Sequence, residues 1–125
     1  MPASIAEMKI GIVGPCAAGK TTLECTLRRL GYDAHAIGQE HSEVQSMWRQ
    51  IADPAVLIYL DASRRTICAR LKVDWEQSYI DEQTRRLADA RGHIDFYLAT
   101  DELSREQVAE RVVAFLDTLS ILPKS

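Results

Sequence analysis

The sequence predicts one α/β domain, built as a three-layer α/β/α sandwich around a small, mostly parallel sheet of about four strands. Short apolar runs alternate along the chain with segments of helical periodicity, which is the pattern of βαβ units with right-handed crossovers. The first run, "MKIGIV" (8–13), is apolar at nearly every position, as a strand buried on both faces requires. A chain of 125 residues, 46% of them hydrophobic, is large enough to bury one such core. We therefore expect a single domain over residues 1–125.

The first half of the chain is predicted to continue with a helix, a weak strand over 33–37 and a second helix over 42–52. Gly31 follows the first helix as a C-terminal cap, and Ser42 is the expected N-cap of the second. Helical spacing of the apolar residues defines the inward faces. They consist of Leu23, Leu27 and Leu30 in the first helix and of Val44, Met47, Trp48 and Ile51 in the second.

The second half is predicted to hold strands over 54–61 and 94–100, each followed by a helix. Ser63 caps the first of these helices, and Ser104 with Gln107 forms a capping box for the last one. A charged amphipathic helix over 75–91 lies between them, after a tight turn over 71–75. The inward residues are expected to be Ile67, Leu71, Trp75, Tyr79, Ile80, Leu87, Val108, Val112, Phe115, Leu116 and Leu119.

The charge balance limits the classes of partner. The formal net charge of −3 argues against a general nucleic-acid binder, whereas residues 64–93 carry seven Arg/Lys against five acids and favour a small polyanion. No apolar run approaches the roughly 20 residues that cross a bilayer, and the N-terminus lacks a basic start followed by an apolar core. We expect no membrane contact and a cytoplasmic location. The three cysteines form no C-x-x-C pair, which argues against a disulfide framework.

One motif carries most of the functional information. In "GIVGPCAAGKTTL" (11–23), Gly14, Gly19, Lys20 and Thr21 spell G-x-x-x-x-G-K-T between a predicted strand and a predicted helix, the context that a phosphate-binding loop requires. The glycines permit backbone angles and close approaches that a Cβ would prevent. The N–H groups of residues 15–21 would then converge on phosphate oxygens at the positive end of the helix.

Each loop residue has an expected role toward a nucleoside triphosphate. Lys20 would contact the β- and γ-phosphates, Thr21 would bind Mg²⁺, and Thr22 would reach the α-phosphate. ATP is the default nucleotide, since no guanine-specific N-K-x-D tetrapeptide occurs. The thiol of Cys16 has two interpretations: a thiolate stabilised before a helix start, or a small residue that fits the loop. The predicted nucleotide-binding residues are Gly14, Pro15, Cys16, Ala17, Ala18, Gly19, Lys20, Thr21 and Thr22.

This loop resembles the opening of P-loop kinases of the adenylate, shikimate and nucleoside kinase type. "PAVLIYLDASRRTICARL" (54–71) is similar to the penultimate strand and following helix of that family, and "FYLATDELSREQVAERVVAFL" (96–116) is similar to its closing strand and helix. The resemblance implies a P-loop NTPase fold, ATP and Mg²⁺ as cofactors, and phosphoryl transfer to a small acceptor. It also implies lid arginines that neutralise the transferred group, for which Arg70 and Arg86 are the candidates. Only 24 residues (31–54) stand where family members carry an acceptor-binding segment and a further strand with a metal-binding acid.

Two acidic positions are candidates for that metal-binding role. Asp61 ends an apolar run, the shape of a Walker B acid, but in the family this position is usually structural or a helix cap. Glu40 lies in "GQEHS" (38–42) after the second strand, at the sheet edge where ligands bind in such folds. It is a candidate general base, or an Mg²⁺ ligand through water, with Gln39 or His41 orienting a substrate. The alternative is that these residues are merely exposed ahead of a helix.

The remaining charged and aromatic residues favour structural roles. The i,i+4 pairs Asp81–Arg85 and Glu82–Arg86 are expected to form ion pairs on one helix. Trp48, Trp75 and Tyr79 are expected to pack in the core rather than to stack on a base.

Two classes of function remain open. The first is a compact kinase with Lys20, Glu40, Arg70 and Arg86 in catalytic roles, acting on ATP and a small acceptor. The second is a nucleotide-binding module with little or no turnover that acts through a protein partner, and a plain NTPase that uses water as the acceptor is a third alternative. The open edges of a four-stranded sheet are also compatible with a homodimer.

Overall fold

The computed structural model describes residues 8–119, so residues 1–7 and 120–125 of the predicted domain lie outside the described part. Four strands and six helices lie within this range, with one helix after the first, second and fourth strands and three after the third. A short 3₁₀ turn, Gln39–His41, follows the second strand. No helix among the described residues has the length and apolar character needed to cross a membrane. The elements are β1 (Lys9–Val13), α1 (Lys20–Arg29), β2 (Asp33–Ala36), α2 (Met47–Ile51), β3 (Val56–Asp61), α3 (Arg64–Leu71), α4 (Gln77–Arg86), α5 (Ala88–Arg91), β4 (Phe96–Ala99) and α6 (Arg105–Leu119).

The four strands form one parallel sheet in the order β2-β1-β3-β4. Ile10 of β1 pairs with Ala34 on one side and with Val56 on the other. Because β1 is internal, the segments that follow β2 and β3 flank the loop that follows β1 at the carboxyl edge. The predicted α/β class, with four parallel strands, is confirmed.

The apolar core covers both faces of the sheet. Alternate residues of a strand point to opposite faces; accordingly, Ile58 packs in one buried cluster and its neighbour Tyr59 in another. The first cluster is closed by α1, α3 and α6, through residues such as Leu27, Ile67 and Val112. The second is closed by the chain around α2 and α5. This arrangement is compatible with a three-layer sandwich.

The predicted helix ends are largely confirmed. The side chain of Ser63 accepts a hydrogen bond from the amide of Thr66 at the start of α3. Ser104 and Gln107 exchange the two hydrogen bonds of a capping box, 2.9 and 3.1 Å long. Gly31 follows α1 with a φ of 95°, the left-handed conformation of a C-terminal glycine.

The predicted helix over 42–52 is wrong in its first half. Only Met47–Ile51 is α-helical, and the Ser42 hydroxyl accepts from the nearby amide of Val44 instead of capping a helix. Val44 is 53% exposed and Ile51 is 70% exposed, so neither belongs to a buried face. The physical reason is competition from the buried side-chain amide of Gln39. This amide hydrogen-bonds to Val44 O and to the Trp48 N–H, which are groups that a longer helix would use for its own hydrogen bonds.

The predicted helix over 75–91 is divided at Leu87, and Trp75 precedes its first turn. Tyr79, Leu71 and Leu30 are exposed rather than inward, since each lies near an end of its helix, where less of the sheet is covered. The predicted Asp81–Arg85 pair is also absent, because Arg85 is held by Glu82 and Glu43 instead. The predicted Glu82–Arg86 contact is present as a weak pair at 3.9 Å.

Candidate functional site

The loop between β1 and α1 needs glycine at both motif positions. A Cβ on Gly14 would lie 1.9 Å from the carbonyl oxygen of Leu60 in β3, so the loop passes against the neighbouring strand. Gly19 has a φ of 106° and is the N-cap of α1. The predicted roles of the two glycines, close approach and unusual backbone angles, are confirmed.

The amides available for an anion are fewer than predicted. Pro15 has no N–H, the amide of Cys16 donates to Gln83 Oε1 at 2.9 Å, and that of Ala18 makes a long bond to Pro15 O. The predicted cradle over 15–21 is therefore wrong at its beginning. The N–H groups in the first turn of α1 have no acceptor within the helix, because the helix begins there. Gly19, at the N-cap, has no side chain that could accept from them. The amides left for a ligand are those of Ala17 and residues 19–22.

The ammonium of Lys20 is folded back over the loop. Its Nζ donates to the carbonyl oxygens of Gly14 and Pro15 at 2.8 and 2.9 Å and to Glu40 Oε2 at 2.7 Å. Only 10% of the Lys20 side chain and 4% of the Glu40 side chain are exposed. The other carboxylate oxygen, Glu40 Oε1, is buried without a hydrogen-bond partner among the described residues. A buried charge pair with one orphan oxygen is costly to maintain for stability alone.

Cys16 and His41 lie on the exposed side of this pair. Cys16 Sγ is 3.5 Å from His41 Nε2, which is 3.7 Å from Glu40 Oε2. Burial raises the pKa of the Cys16 thiol and the Glu40 charge raises it further, while the Lys20 charge offsets only part of the rise. Desolvation therefore outweighs the nearby ammonium, which favours the interpretation of Cys16 as a small residue that fits the loop.

Gln39 is a structural residue rather than a group that faces a ligand. It is fully buried, and its Nε2 donates to Val44 O and Arg86 O at 2.8 and 3.1 Å. Its Oε1 accepts from the amide of Trp48 at 2.8 Å. These bonds use its amide within the fold, which argues against the predicted substrate contact and fixes the segment that carries Glu40.

The two candidate arginines also bind protein groups. Arg70 donates to Ala17 O at 2.7 Å and to Thr100, through Oγ1 at 3.1 Å and the carbonyl at 2.7 Å. It thereby ties the loop to the end of β4. Arg86 donates to Glu43 at 2.9 Å and to the carbonyl of Glu40 at 3.4 Å. Both guanidinium groups are placed to position the loop and the Glu40 segment.

Asp61 turns away from the loop. Its Oδ1 accepts from the amide of Ala62 at 2.9 Å, and its Oδ2 accepts from the hydroxyl of Tyr97. Among the described residues, Asp61 does not line the cavity beside the loop, whereas the exposed Thr21 does. The geometry thus favours the structural interpretation of Asp61.

A cavity of about 1100 Å³ extends from the loop across the carboxyl edge of the sheet, on the scale of a nucleotide-sized ligand site. Its lining includes residues 16–22 with Glu40 and Arg70. It also includes apolar side chains such as those of Trp75 and Leu103. Trp48 is buried as predicted, whereas Trp75 is half-buried and faces this cavity, with its ring 4.6 Å from that of Tyr79. Within residues 8–119, Gln39, His41, Asp61 and Arg86 do not line the cavity.

Sequence reasoning missed two polar residues that hold the loop. Gln83 is fully buried and binds the Cys16 amide, while its Nε2 has no partner among the described residues. Thr100 is almost fully buried, and its hydroxyl donates to Ala18 O at 2.9 Å. A signal for Gln83 exists, because a glutamine lies on the helical face that Ile80 and Leu87 define. Thr100 directly follows the closing strand, at the edge where ligands bind.

No protein-family model matches the chain, and no curated protein matches it either.

Proposed function

We propose that the chain is an ATP-binding protein of the P-loop NTPase fold that transfers the γ-phosphoryl group to a small acceptor. One observation carries the proposal. The Lys20 ammonium is paired with the buried Glu40 and lies beside the first amides of α1, which no side chain caps. The loop, Lys20 and Glu40 all line one large cavity. Helix N-terminal amides and a mobile ammonium are complementary to a chain of phosphates.

The oxygen donors around the loop fit Mg²⁺. Glu40 has a buried carboxylate oxygen without a partner among the described residues, and the Thr21 hydroxyl lines the same cavity. Hydroxyl and carboxylate oxygens, with water between, are the ligands that Mg²⁺ prefers. When bound, Mg²⁺ neutralises charge on the phosphates. The proposed ligands are therefore Thr21 directly and Glu40 through water.

The other proposed steps depend on side chains of the protein itself. A bound triphosphate attracts the Lys20 ammonium toward its β- and γ-oxygens, which frees the Glu40 carboxylate for one of two roles: to hold Mg²⁺ through water or to accept a proton from an acceptor hydroxyl. Arg70 and Thr100 fix the loop carbonyls from behind. The adenine ring of the proposed ATP would lie against the apolar part of the cavity lining, which includes Trp75 and Leu103.

A second candidate function is a nucleotide-binding module without efficient turnover. Of the three residues predicted to bind an acceptor, only Glu40 faces the cavity, and Gln39 is committed to the fold. The guanidinium groups of Arg70 and Arg86 are likewise bonded to protein atoms. These observations favour binding over transfer.

Calorimetric titration of ATP with Mg²⁺ tests the binding step. We expect Lys20→Met to weaken affinity by at least about tenfold, since a charge-assisted hydrogen bond contributes about 1.5–3 kcal/mol. The matched control is Lys9→Met, at the opposite end of β1, which should bind normally. Thr21→Val, at an exposed position, provides a second variant that leaves the fold intact and should weaken only the Mg²⁺-dependent part. No binding heat with the wild-type chain would refute the proposal.

Incubation with labelled ATP, Mg²⁺ and a panel of small hydroxyl acceptors separates the two candidates. Product that depends on both Lys20 and Glu40 supports the phosphotransferase. Tight binding with no labelled product supports the module. Turnover unchanged in Glu40→Gln would remove Glu40 from the mechanism.

A further inference from the structure

Beside the phosphate loop, three side chains of different chemistry converge. Cys16 belongs to the loop itself, whereas Glu40 and His41 belong to the 3₁₀ turn after β2. Their Sγ, carboxylate and imidazole donor atoms all lie within 4.8 Å of one another. The convergence is therefore a product of the fold, because the sequence separates Cys16 from the other two by more than twenty residues.

We infer that Cys16, Glu40 and His41 form a binding site for a zinc-class transition-metal ion. Zn²⁺ accepts thiolate, imidazole and carboxylate ligands in one site, whereas Mg²⁺ and Ca²⁺ select oxygen ligands and do not favour the thiolate or the imidazole. The site shares Glu40 with the proposed Mg²⁺ site, but it needs no nucleotide and concerns a different class of ion.

Two of the three distances between donor atoms are close to those around a tetrahedral ion. Ligand bonds of about 2.0–2.3 Å to one zinc place neighbouring donor atoms about 3.3–3.6 Å apart. Cys16 Sγ and His41 Nε2 are 3.5 Å apart, and His41 Nε2 and Glu40 Oε2 are 3.7 Å apart. The Cys16 and His41 side chains are partly or largely exposed, so rotation about their side-chain bonds can close the remaining gap.

A second observation points to a missing cation. Glu40 is 3% exposed, and while its Oε2 binds Lys20, its Oε1 is buried with no hydrogen-bond partner among the described residues. A buried carboxylate oxygen normally has a hydrogen-bond partner. A metal at this position would supply it.

Metal binding releases one proton from the site. The Cys16 S–H bond breaks, its proton passes to solvent, and the sulfur forms the metal–thiolate bond. Three protein ligands leave the fourth coordination position open, as in zinc sites that bind water or substrate. Because Cys16 and Glu40 both line the cavity, the open position is accessible from it.

Titration of the full chain with Co²⁺, a spectroscopic substitute for Zn²⁺, tests the site in the absence of nucleotide. We expect one equivalent to bind with a thiolate-to-cobalt charge-transfer absorption. Cys16→Ser should abolish this absorption, and His41→Gln should weaken binding by at least about tenfold, since even supporting groups of a metal site are worth that much. The matched controls, Cys25→Ser, Cys68→Ser and His93→Gln, should behave as the wild type.

A measurement on the wild-type chain avoids any question of folding. Zn²⁺ should protect Cys16 from alkylation, mapped by mass spectrometry, while the exposed Cys25 stays reactive. Absence of the charge-transfer absorption in the wild type, its persistence in Cys16→Ser, or equal alkylation of Cys16 with and without Zn²⁺ would each overturn the assignment.

Discussion

Two acidic residues lie on either side of the loop between β1 and α1, and they differ in burial, in partners and in their position relative to the cavity. Glu40 follows β2 and Asp61 ends β3, and both strands pair with β1. Glu40 is buried, binds the Lys20 ammonium at 2.7 Å and lines the cavity. Asp61 is half-buried and binds the adjacent amide of Ala62 and the hydroxyl of Tyr97. The two sides of the loop are therefore not equivalent.

The difference shows that the β3 side supports the loop with backbone and the β2 side supplies a charged group. Leu60 O lies against Gly14, and Asp61 O accepts from the amide of Thr100. On the other side, the chain leaves β2 in a 3₁₀ turn that directs Glu40 back toward Lys20. An apolar run ending in an acid therefore does not locate the carboxylate that faces the cavity, because the path of the chain after the strand decides where the carboxylate points.

The largest expected effect tests the backbone support from β3. Gly14→Ala would place a Cβ 1.9 Å from Leu60 O, a strand carbonyl that cannot move away. We expect a loss of at least about 4 kcal/mol in the free energy of unfolding, measured by urea denaturation. Gly19→Ala is the matched control, since nothing lies within 4 Å of its added Cβ and only left-handed strain of about 1–2 kcal/mol applies. Equal losses in the two variants would contradict the close-packing argument.

The next effect tests the charged side of the comparison. Lys20→Met leaves Glu40 buried and unpaired, and we expect a loss of about 3 kcal/mol in the free energy of unfolding. Glu40→Gln should cost less, because Lys20 keeps two carbonyl acceptors. The double variant should recover part of the cost of Lys20→Met, so a double-mutant cycle measures the coupling. Strictly additive losses would show that the pair does not interact.

A smaller effect is expected from the residue that shapes the β2 side. Gln39→Leu removes three hydrogen bonds and leaves the N–H of the buried Trp48 without its acceptor. We expect a loss of about 2 kcal/mol in the free energy of unfolding, together with weaker coupling between Lys20 and Glu40. The control Gln50→Leu affects an exposed side chain and should change stability by less than about 0.5 kcal/mol. A neutral Gln39→Leu would show that another contact fixes this turn.

Much of the fold was predictable because its signals are local. Continuous apolar runs identified β1 and β3, and the capping residues Ser63 and Ser104 identified two helix starts. Periodicity failed where a buried polar residue competed with the helix, as at Gln39 before α2. Burial at helix ends also escaped prediction, because it depends on which element packs there, and Leu30 and Tyr79 are exposed for that reason.

The candidate site was predictable only in part. The glycine and lysine positions follow from the sequence motif, since each is required by backbone geometry or by charge. The proximity of Glu40 to Lys20 depends on β2 pairing beside β1 and on the turn that follows, neither of which the sequence specifies locally. The same holds for Cys16 and His41, which only the fold brings together.

The smallest expected effect on stability tests Asp61, and it separates the two acids most directly. The pKa of Tyr97 is raised to about 12, chiefly by burial and then by its hydrogen bond to Asp61 and the Asp61 charge. The folded-state pKa of Tyr97 exceeds the ordinary tyrosine value of about 10. The contribution of Tyr97 to the free energy of unfolding is therefore complete below pH 10 and is lost as the pH rises through about 12. Asp61→Asn removes the charge and should lower the Tyr97 pKa, so that phenolate absorbance appears at lower pH.

The matched control for this titration is Asp81→Asn, an exposed acid that binds only Gln77 among the described residues. It should leave the phenolate titration unchanged. Asp61→Asn should also retain normal affinity for ATP with Mg²⁺, whereas Glu40→Gln should weaken the Mg²⁺-dependent part. If Asp61→Asn weakened it as much as Glu40→Gln does, the functional carboxylate would lie on the β3 side, and the proposed division between a supporting and a charged side of the loop would be reversed.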